Sequence, residues 1–267
     1  MAYPNVIYGD YGDEKVAQSA KIGNLPLGQL MILPDGRKFR MARAGSVTAL
    51  KAGVITSCSS ETAGHGNVSG SGLLTSATTT ENLAGDEVVY LIAKTAAVVK
   101  DEYAGGLLNI LGPAASTAYI GRVHKIKANE AASAASIRFK VTLENGDPLK
   151  ADLKAGTTLC SLRKDPYGEQ IVFSPGTIIA PPMGATPTAV SASFYYWAQR
   201  GGEASLQQSA TVIVVGEPVH CAVSVAGSVT TIAATAATAG GYAAVPVGFA
   251  LGAAAASEAV LTYLTIE

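Results

Sequence analysis

The stretch "SFYYWAQRGG", residues 193–202, decides the fold class of this chain. Aromatic residues make up 6% of the sequence and there is a single tryptophan, yet Phe194, Tyr195, Tyr196 and Trp197 follow one another directly. Successive side chains of a β-strand point to opposite faces, so alternate rings would lie on opposite sides of the strand. An uninterrupted apolar run of this kind is typical of a strand buried on both faces. We therefore predict Phe194, Tyr196 and Trp197 as core anchors between two layers.

The alternative interpretation is a ligand platform made of exposed rings. Such a site needs polar groups that converge on the rings, and the neighbouring residues offer only Gln199 and Arg200. Arg200 could lie over one ring as a cation–π partner. Core packing is the favoured interpretation, because large aromatic side chains dominate buried area.

The rest of the chain predicts a mainly β protein with little helix. In "SIRFKVTLENGDPL", residues 136–149, apolar and polar residues alternate before the Asn145-Gly146 turn, as in a half-buried strand of a hairpin. Only residues 13–21 and 128–136 suggest short helices, and neither has a wide apolar stripe. Short strands separated by frequent turns indicate β-sandwich or barrel-like domains. Residues 28–42 are predicted as two strands joined by a turn at Pro34-Asp35-Gly36, and further strands are predicted at 87–93, 211–215 and 258–266.

Composition shifts suggest where the domains begin and end. The predicted organisation is an extended N-terminal arm over residues 1–27, a β domain over 28–180, a Pro/Gly-rich connection over 181–191 and a C-terminal β domain over 192–267. The Gly/Ser-rich segment 56–72 is predicted to be a surface loop of the first β domain.

Charge and composition argue against several classes of partner. The chain has 19 Lys and Arg against 20 Asp and Glu, so the basic excess typical of nucleic-acid-binding proteins is missing. The uncharged stretch between Glu217 and Glu258 is built from small residues and contains Gly240, Gly241 and Pro246, which disfavours a membrane helix. Only 15% of the residues are charged, which favours a surface partly covered by neighbouring proteins.

The sequence offers no recognisable catalytic or metal-binding motif. His65, His124 and His220 lie in unrelated contexts, and the three cysteines form no C-x-x-C pair. We therefore expect no enzymatic activity, no metal and no cofactor. The N-terminus lacks the pattern of a secretion signal, so synthesis and folding in a cytoplasm are expected.

The order of several segments resembles that of capsid decoration, or cement, proteins of tailed bacteriophages. The resemblance covers about 170 residues and rests on the succession of the segments rather than on any one of them. The segments are "DEYAGGLLNI" (101–110), "YIGRVHKIKAN" (119–129), "VTLENGDPLKADLKAGTTLCSLRKDPYG" (141–168), "YYWAQRGG" (195–202), "VVGEPV" (214–219) and "VPVGFALGAAAASEAVLTYLTIE" (245–267).

This resemblance implies a structural protein of the virion. Such proteins bind the outer surface of an icosahedral capsid, often as trimers, and fasten neighbouring major capsid subunits. The implied partners are the major capsid protein and further copies of the chain, the implied location is the outer capsid surface, and the chain would be made in the host cytoplasm.

The weakly patterned N-terminal region and the basic cluster are the predicted contacts with the capsid. The cluster Arg37, Lys38, Arg40 and Arg43 could dock on an acidic protein surface or form the solvated face of a hairpin. The candidate contact residues are Tyr3, Tyr8, Tyr11, Leu25, Leu27, Arg37 and Arg40. The main alternative function is a β-sandwich head fibre or spike that binds a host glycan through exposed aromatic rings. A hydrolase of the virion or of the cell envelope ranks last.

Overall fold

A computed structural model describes most of the chain, and nearly all of its regular structure is β-strand. The described residues are 5–62, 64–66, 73–76, 78, 80–93, 96–112, 122–134, 136–174, 180–209, 212–222, 224–231, 246–255 and 258–267. Helical structure in these residues is limited to two 3-10 turns, Asp13–Lys15 and Ile22–Asn24. The prediction of a mainly β fold with sandwich or barrel-like sheets is confirmed.

Eighteen strands are present in the described residues. In chain order they are β1 (Val6–Tyr8), β2 (Ala17–Gln18), β3 (Leu30–Ile32), β4 (Lys38–Arg43), β5 (Ile55–Cys58), β6 (Leu73–Thr75), β7 (Val88–Ile92), β8 (Leu107–Gly112), β9 (Arg122–Asn129), β10 (Arg138–Leu143), β11 (Leu159–Arg163), β12 (Gln170–Val172), β13 (Pro182–Ala185), β14 (Tyr195–Gln207), β15 (Pro218–Cys221), β16 (Val229–Thr231), β17 (Pro246–Ala250) and β18 (Ala259–Thr265).

The chain divides into two compact units. The sheet unit comprises residues 1–59 and 166–267, and the barrel unit is the continuous segment 60–165 between them. The predicted boundary at 181–191 is therefore wrong. That segment contains β13, which pairs with both β5 and β14 inside the sheet unit. Its prolines and glycines do mark turns, but long-range strand pairing decides which residues share a unit.

The sheet unit is organised around β14, the longest strand. The strand order is β1-β3-β4-β14-β18-β17-β15-β16, and β2, β5, β12 and β13 pair beside this path. The aromatic stretch lies where β14 pairs with β4. Tyr196 is buried in a cluster with Leu50 and Val190. Phe194 is partly buried and packs against this cluster.

The two neighbouring rings belong to a second cluster. Trp197 is buried with Met31 and Phe39, and Tyr195 packs against the same group. Alternate side chains of this strand thus contribute to two separate clusters, as strand geometry requires.

The barrel unit is a closed six-stranded barrel. Its strand order is β10-β7-β6-β11-β8-β9, with the first and last strands paired to each other. Phe139, Val141 and Leu143 of β10 point into one continuous buried core, as their alternation predicts. After this strand, Gly146 adopts a φ of 84°, a left-handed conformation that favours glycine at the turn.

The N-terminal region is part of the sheet unit rather than a free arm. Strand β1 pairs in parallel with β3, and β2 pairs with β14. Ile7, Leu25 and Leu27 are partly buried against the cluster that contains Trp197. Strands of two or three residues are too short to show an alternation of apolar and polar residues, so this segment could not be identified as part of a sheet from its sequence.

Two further predictions from local sequence are corrected. Residues 56–58 of the supposed surface loop 56–72 belong to β5, and every residue of that strand is buried. Within the same segment, His65 is fully buried in the barrel unit. The suggested helix at 128–136 is also wrong at its start, because Ala128 and Asn129 end β9.

Candidate functional site

The seven predicted capsid contacts have different surroundings. Tyr3 lies outside the described residues. Tyr8 and Tyr11 are strongly exposed, at 82% and 65% of their surface. Leu25 and Leu27 are partly buried against the Trp197 cluster, so much of their apolar surface is already used inside the sheet unit. Of the five apolar or aromatic candidates, Tyr8 and Tyr11 present large rings to solvent.

Arg37 is already engaged in ion pairs. Its Nε donates a hydrogen bond to Asp35 Oδ2 at 2.7 Å. One terminal nitrogen lies 3.4 Å from the carboxylate of Glu14, whose side chain is buried. These two carboxylates neutralise the guanidinium within the sheet unit.

Arg40 is held in a similar way by Glu267. Its Nε donates to Glu267 Oε2 at 3.0 Å, and its Nη2 donates to the other oxygen of the same carboxylate. Its Nη1 donates to the Gly28 carbonyl oxygen at 2.8 Å. The hydrogen bond from Arg40 lowers the pKa of Glu267 below its ordinary value. Arg200 approaches the same carboxylate at 3.3 Å. Two of the four cations of the basic cluster, Arg37 and Arg40, are therefore paired with carboxylates inside the sheet unit.

A different surface of the sheet unit presents large apolar side chains to solvent. Tyr263 of β18 lies opposite Phe249 of β17 on one side and Glu203 of β14 on the other. Leu261 lies two residues along β18, and its carbonyl accepts a hydrogen bond from the Leu251 amide at 2.8 Å. Alternation explains this surface, since the intervening residues of β18 are buried.

Three further exposed valines lie in the segment whose backbone bonds to the end of β17, where the Gly216 amide donates to the Ala250 carbonyl at 2.8 Å. Ile213 and Ala254 form an antiparallel bridge with two backbone hydrogen bonds of 3.1 Å, which places the segment around Ile213 beside the chain that leaves β17. We call the whole surface the C-terminal apolar face. Its members are 41% to 61% exposed and are Val212, Val214, Val215, Phe249, Leu251, Leu261 and Tyr263.

A shallow pocket adjoins this face. It has a volume of about 440 Å³ and is lined by Leu261 and Tyr263 together with the polar residues Asp35, Arg37 and Glu203. A ring beside carboxylates and a guanidinium can support stacking and hydrogen bonding with a polar ligand.

The C-terminal apolar face was missed by sequence reasoning. The segment "EAVLTYLTI", residues 258–266, was correctly predicted as a strand, but it carries large apolar residues at both alternating sets of positions. Sequence therefore does not reveal which set is buried. The available signal was that a strand with both faces apolar needs either two covering layers or one external partner.

Buried polar groups of the barrel unit serve packing. The Tyr103 hydroxyl lies 2.7 Å from His65 Nδ1, and both side chains are fully buried. Burial raises the pKa of Tyr103, so its phenol remains protonated at neutral pH. His65 Nε2 then faces the Ala96 carbonyl at 3.3 Å. This arrangement ties the segment around His65 to the barrel.

All three cysteines lie in described parts of the chain, where they are buried and form no disulfide bond. Burial raises the pKa of Cys160 and that of Cys221 to about 12, so both remain thiols at neutral pH. Within the residues that the structure describes, no three His, Cys, Asp or Glu side chains form a group that could hold a metal ion.

No helix in the described part of the chain is long and apolar enough to cross a membrane. No protein-family model, no curated protein and no solved structure matches the chain.

Proposed function

We propose that this chain is a structural virion protein that binds the outer surface of an icosahedral tailed-phage capsid and fastens neighbouring major capsid subunits. The observation that carries the proposal is the C-terminal apolar face on a broad β-sheet. Contiguous exposed apolar surface rimmed by polar residues marks protein–protein contact sites. The resemblance of segment order to cement proteins supports the choice of partner.

The fold suits a protein that works by being held between others. Pairing across β4, β14, β18 and β17 fixes the apolar side chains on one hydrogen-bonded frame, so little conformational entropy is lost when they are covered. Exposed Tyr8 and Tyr11 offer a second contact point. Two modest contacts on adjacent subunits reinforce each other, because the second forms at high effective concentration. Trimeric assembly on the capsid would multiply this effect further.

The test is reconstitution with expanded, undecorated shells of a phage that encodes this chain. Purified protein should bind in many copies spread over the shell, counted from gel band ratios and cryo-electron micrographs. Bound protein should also raise the temperature at which the shells fall apart. A few molecules confined to one vertex, or saturation without any gain in shell stability, would contradict cementing.

The pocket beside Tyr263 favours a second candidate, a head fibre or spike module that binds a host glycan. Its ring and the neighbouring Asp35, Arg37 and Glu203 provide the stacking surface and hydrogen-bonding groups that sugars need. Binding of the purified protein to host cells, competed by soluble surface glycan and unaffected by shells, would favour this candidate over the first.

A further inference from the structure

We infer that the C-terminal apolar face docks on a different protein whose contact surface has an apolar centre and a rim of lysines and arginines. This inference deepens the proposed function by stating the chemistry of the capsid surface that the face meets, and in that respect it rests on the proposed function. It also places the main contact on the C-terminal apolar face rather than on the N-terminal region and the two arginines predicted from the sequence.

The centre of the face sets the first requirement on the partner. Phe249 and Tyr263 are directly paired across β17 and β18. Leu261 lies two residues before Tyr263 on β18, and Leu251, which directly follows β17, bonds to it through the backbone. Their side chains are about half exposed, so a large apolar area remains in water. Covering this area requires apolar groups of matching shape.

The charge around the face sets the second requirement. Residues 201–267 contain no lysine or arginine. Their acidic side chains are four glutamates, Glu203, Glu217, Glu258 and Glu267. Glu203 stands next to Tyr263 in the cross-strand row. Glu217 and Glu258 hold turns at the ends of β17 and β18 by accepting amide hydrogen bonds from Val214 and Ala255. We call Glu203, Glu217 and Glu258 the acidic rim.

In the part of the chain that the structure describes, no carboxylate of the acidic rim is in an ion pair with a lysine or arginine, although Lys15 and Glu203 line one groove. Arg37 reaches the pocket beside Tyr263, but it is already paired with Asp35 and Glu14. Glu267 is likewise paired with Arg40 and Arg200. The acidic rim therefore keeps its negative charge available to a partner, and complementary potentials favour a cationic surface.

The same charge pattern disfavours other occupants. A second copy that applied the same face would bring two acidic rims together, and juxtaposed like charges oppose association. Phosphate-bearing partners such as nucleic acid or an anionic bilayer would be repelled in the same way. A cationic protein surface with an apolar centre satisfies both requirements.

Three variants separate the contributions of the centre and the acidic rim. Leu261→Ser removes an exposed apolar group, Glu203→Lys reverses a rim charge, and Glu144→Lys makes the identical charge change at an exposed position of the barrel unit. In equilibrium binding to undecorated shells, Leu261→Ser should raise the dissociation constant about tenfold. Glu203→Lys should raise the dissociation constant about threefold to tenfold. Most of this change should come from a slower association rate, and the rate difference should depend on salt concentration. Glu144→Lys should leave binding unchanged.

Two results on shells would overturn the inference while leaving the proposed function intact. One is wild-type binding in many copies that neither Leu261→Ser nor Glu203→Lys weakens. The other is self-association in sedimentation that Leu261→Ser abolishes, which would assign the face to a second copy.

A measurement without shells keeps the two proposals separable. Polystyrene beads that carry trimethylammonium groups present an apolar cationic surface, and sulfonated beads present the same apolar material with negative charge. Wild-type protein and Glu144→Lys should adsorb preferentially to the cationic beads, whereas Leu261→Ser and Glu203→Lys should lose several-fold in adsorption. This pattern without shell binding would reject the proposed function and retain the inference; equal adsorption of all four proteins would reject the inference.

Discussion

At the scale of single residues, neighbours in sequence have unrelated surroundings. Tyr196 and Trp197 are adjacent, yet each is buried in a different cluster on its own side of β14. A single glycine can also decide how closely two strands approach, because it has no side chain between them. Gly248 of β17 is such a position: a Cβ there would overlap the carbonyl oxygen of Tyr263 on β18.

We predict that Gly248→Ala destabilises the sheet unit by about 1–3 kcal/mol, because the added methyl group must displace backbone rather than a flexible side chain. The matched control is Gly252→Ala, where the nearest atom is the Leu261 Cβ at 3.8 Å. That control should change stability by no more than about 0.5 kcal/mol. Chemical denaturation followed by Trp197 fluorescence measures both, since Trp197 is the only tryptophan. Equal stability of the two variants would contradict the close approach of β17 and β18.

At the scale of elements, the shortest strands have consequences beyond their length. Strand β1 contains three residues, and its neighbours Ile7 and Tyr8 point to opposite sides. Ile7 packs against the Trp197 cluster, whereas Tyr8 is 82% exposed. The first covers the core of the sheet unit, and the second remains free for a partner.

We predict that Ile7→Ser lowers the free energy of unfolding by about 1–2 kcal/mol, because a half-buried apolar side chain is lost. The packing around Trp197 should loosen in this variant, so the tryptophan emission should shift to longer wavelength. Tyr8→Ser on the same strand should leave both stability and emission nearly unchanged. If Ile7→Ser also has no effect, residues 5–27 would be the free arm that the sequence suggested.

At the scale of the whole molecule, the barrel unit is an insertion into the sheet unit. The two ends of the sheet unit that flank it meet: the Ser59 amide donates to the Glu169 carbonyl at 2.9 Å, and Cys58 pairs with Gln170. The barrel closes on itself and has its own continuous core. Each unit therefore contains the interactions that an independent domain needs.

We predict that residues 60–165 fold alone, and that a short Gly-Ser linker can replace them without unfolding the rest. Circular dichroism should show cooperative unfolding of the isolated barrel unit. The remaining sheet unit should keep the Trp197 emission of the full chain. Failure of both pieces to fold would mean that the units depend on each other for stability.

The sequence by itself determined the β class and the local pattern of several strands. Phe139, Val141 and Leu143 alternate with polar residues, and this period of two is a property of the strand backbone alone. The Asn145-Gly146 turn follows from the same local chemistry, because glycine tolerates positive φ. In the candidate site, strand β18 and the exposed Tyr8 and Tyr11 belong to segments that sequence reasoning had singled out.

Only the tertiary structure decided which residues share a unit and which surfaces remain exposed. The joining of 1–59 with 166–267 depends on pairings such as β4 with β14, between residues far apart in sequence. The engagement of Arg40 by Glu267 depends on the same long-range contacts, as does the exposure of Leu261 and Tyr263. Local sequence encodes the period of a strand, but its burial is set by whatever distant segments cover it.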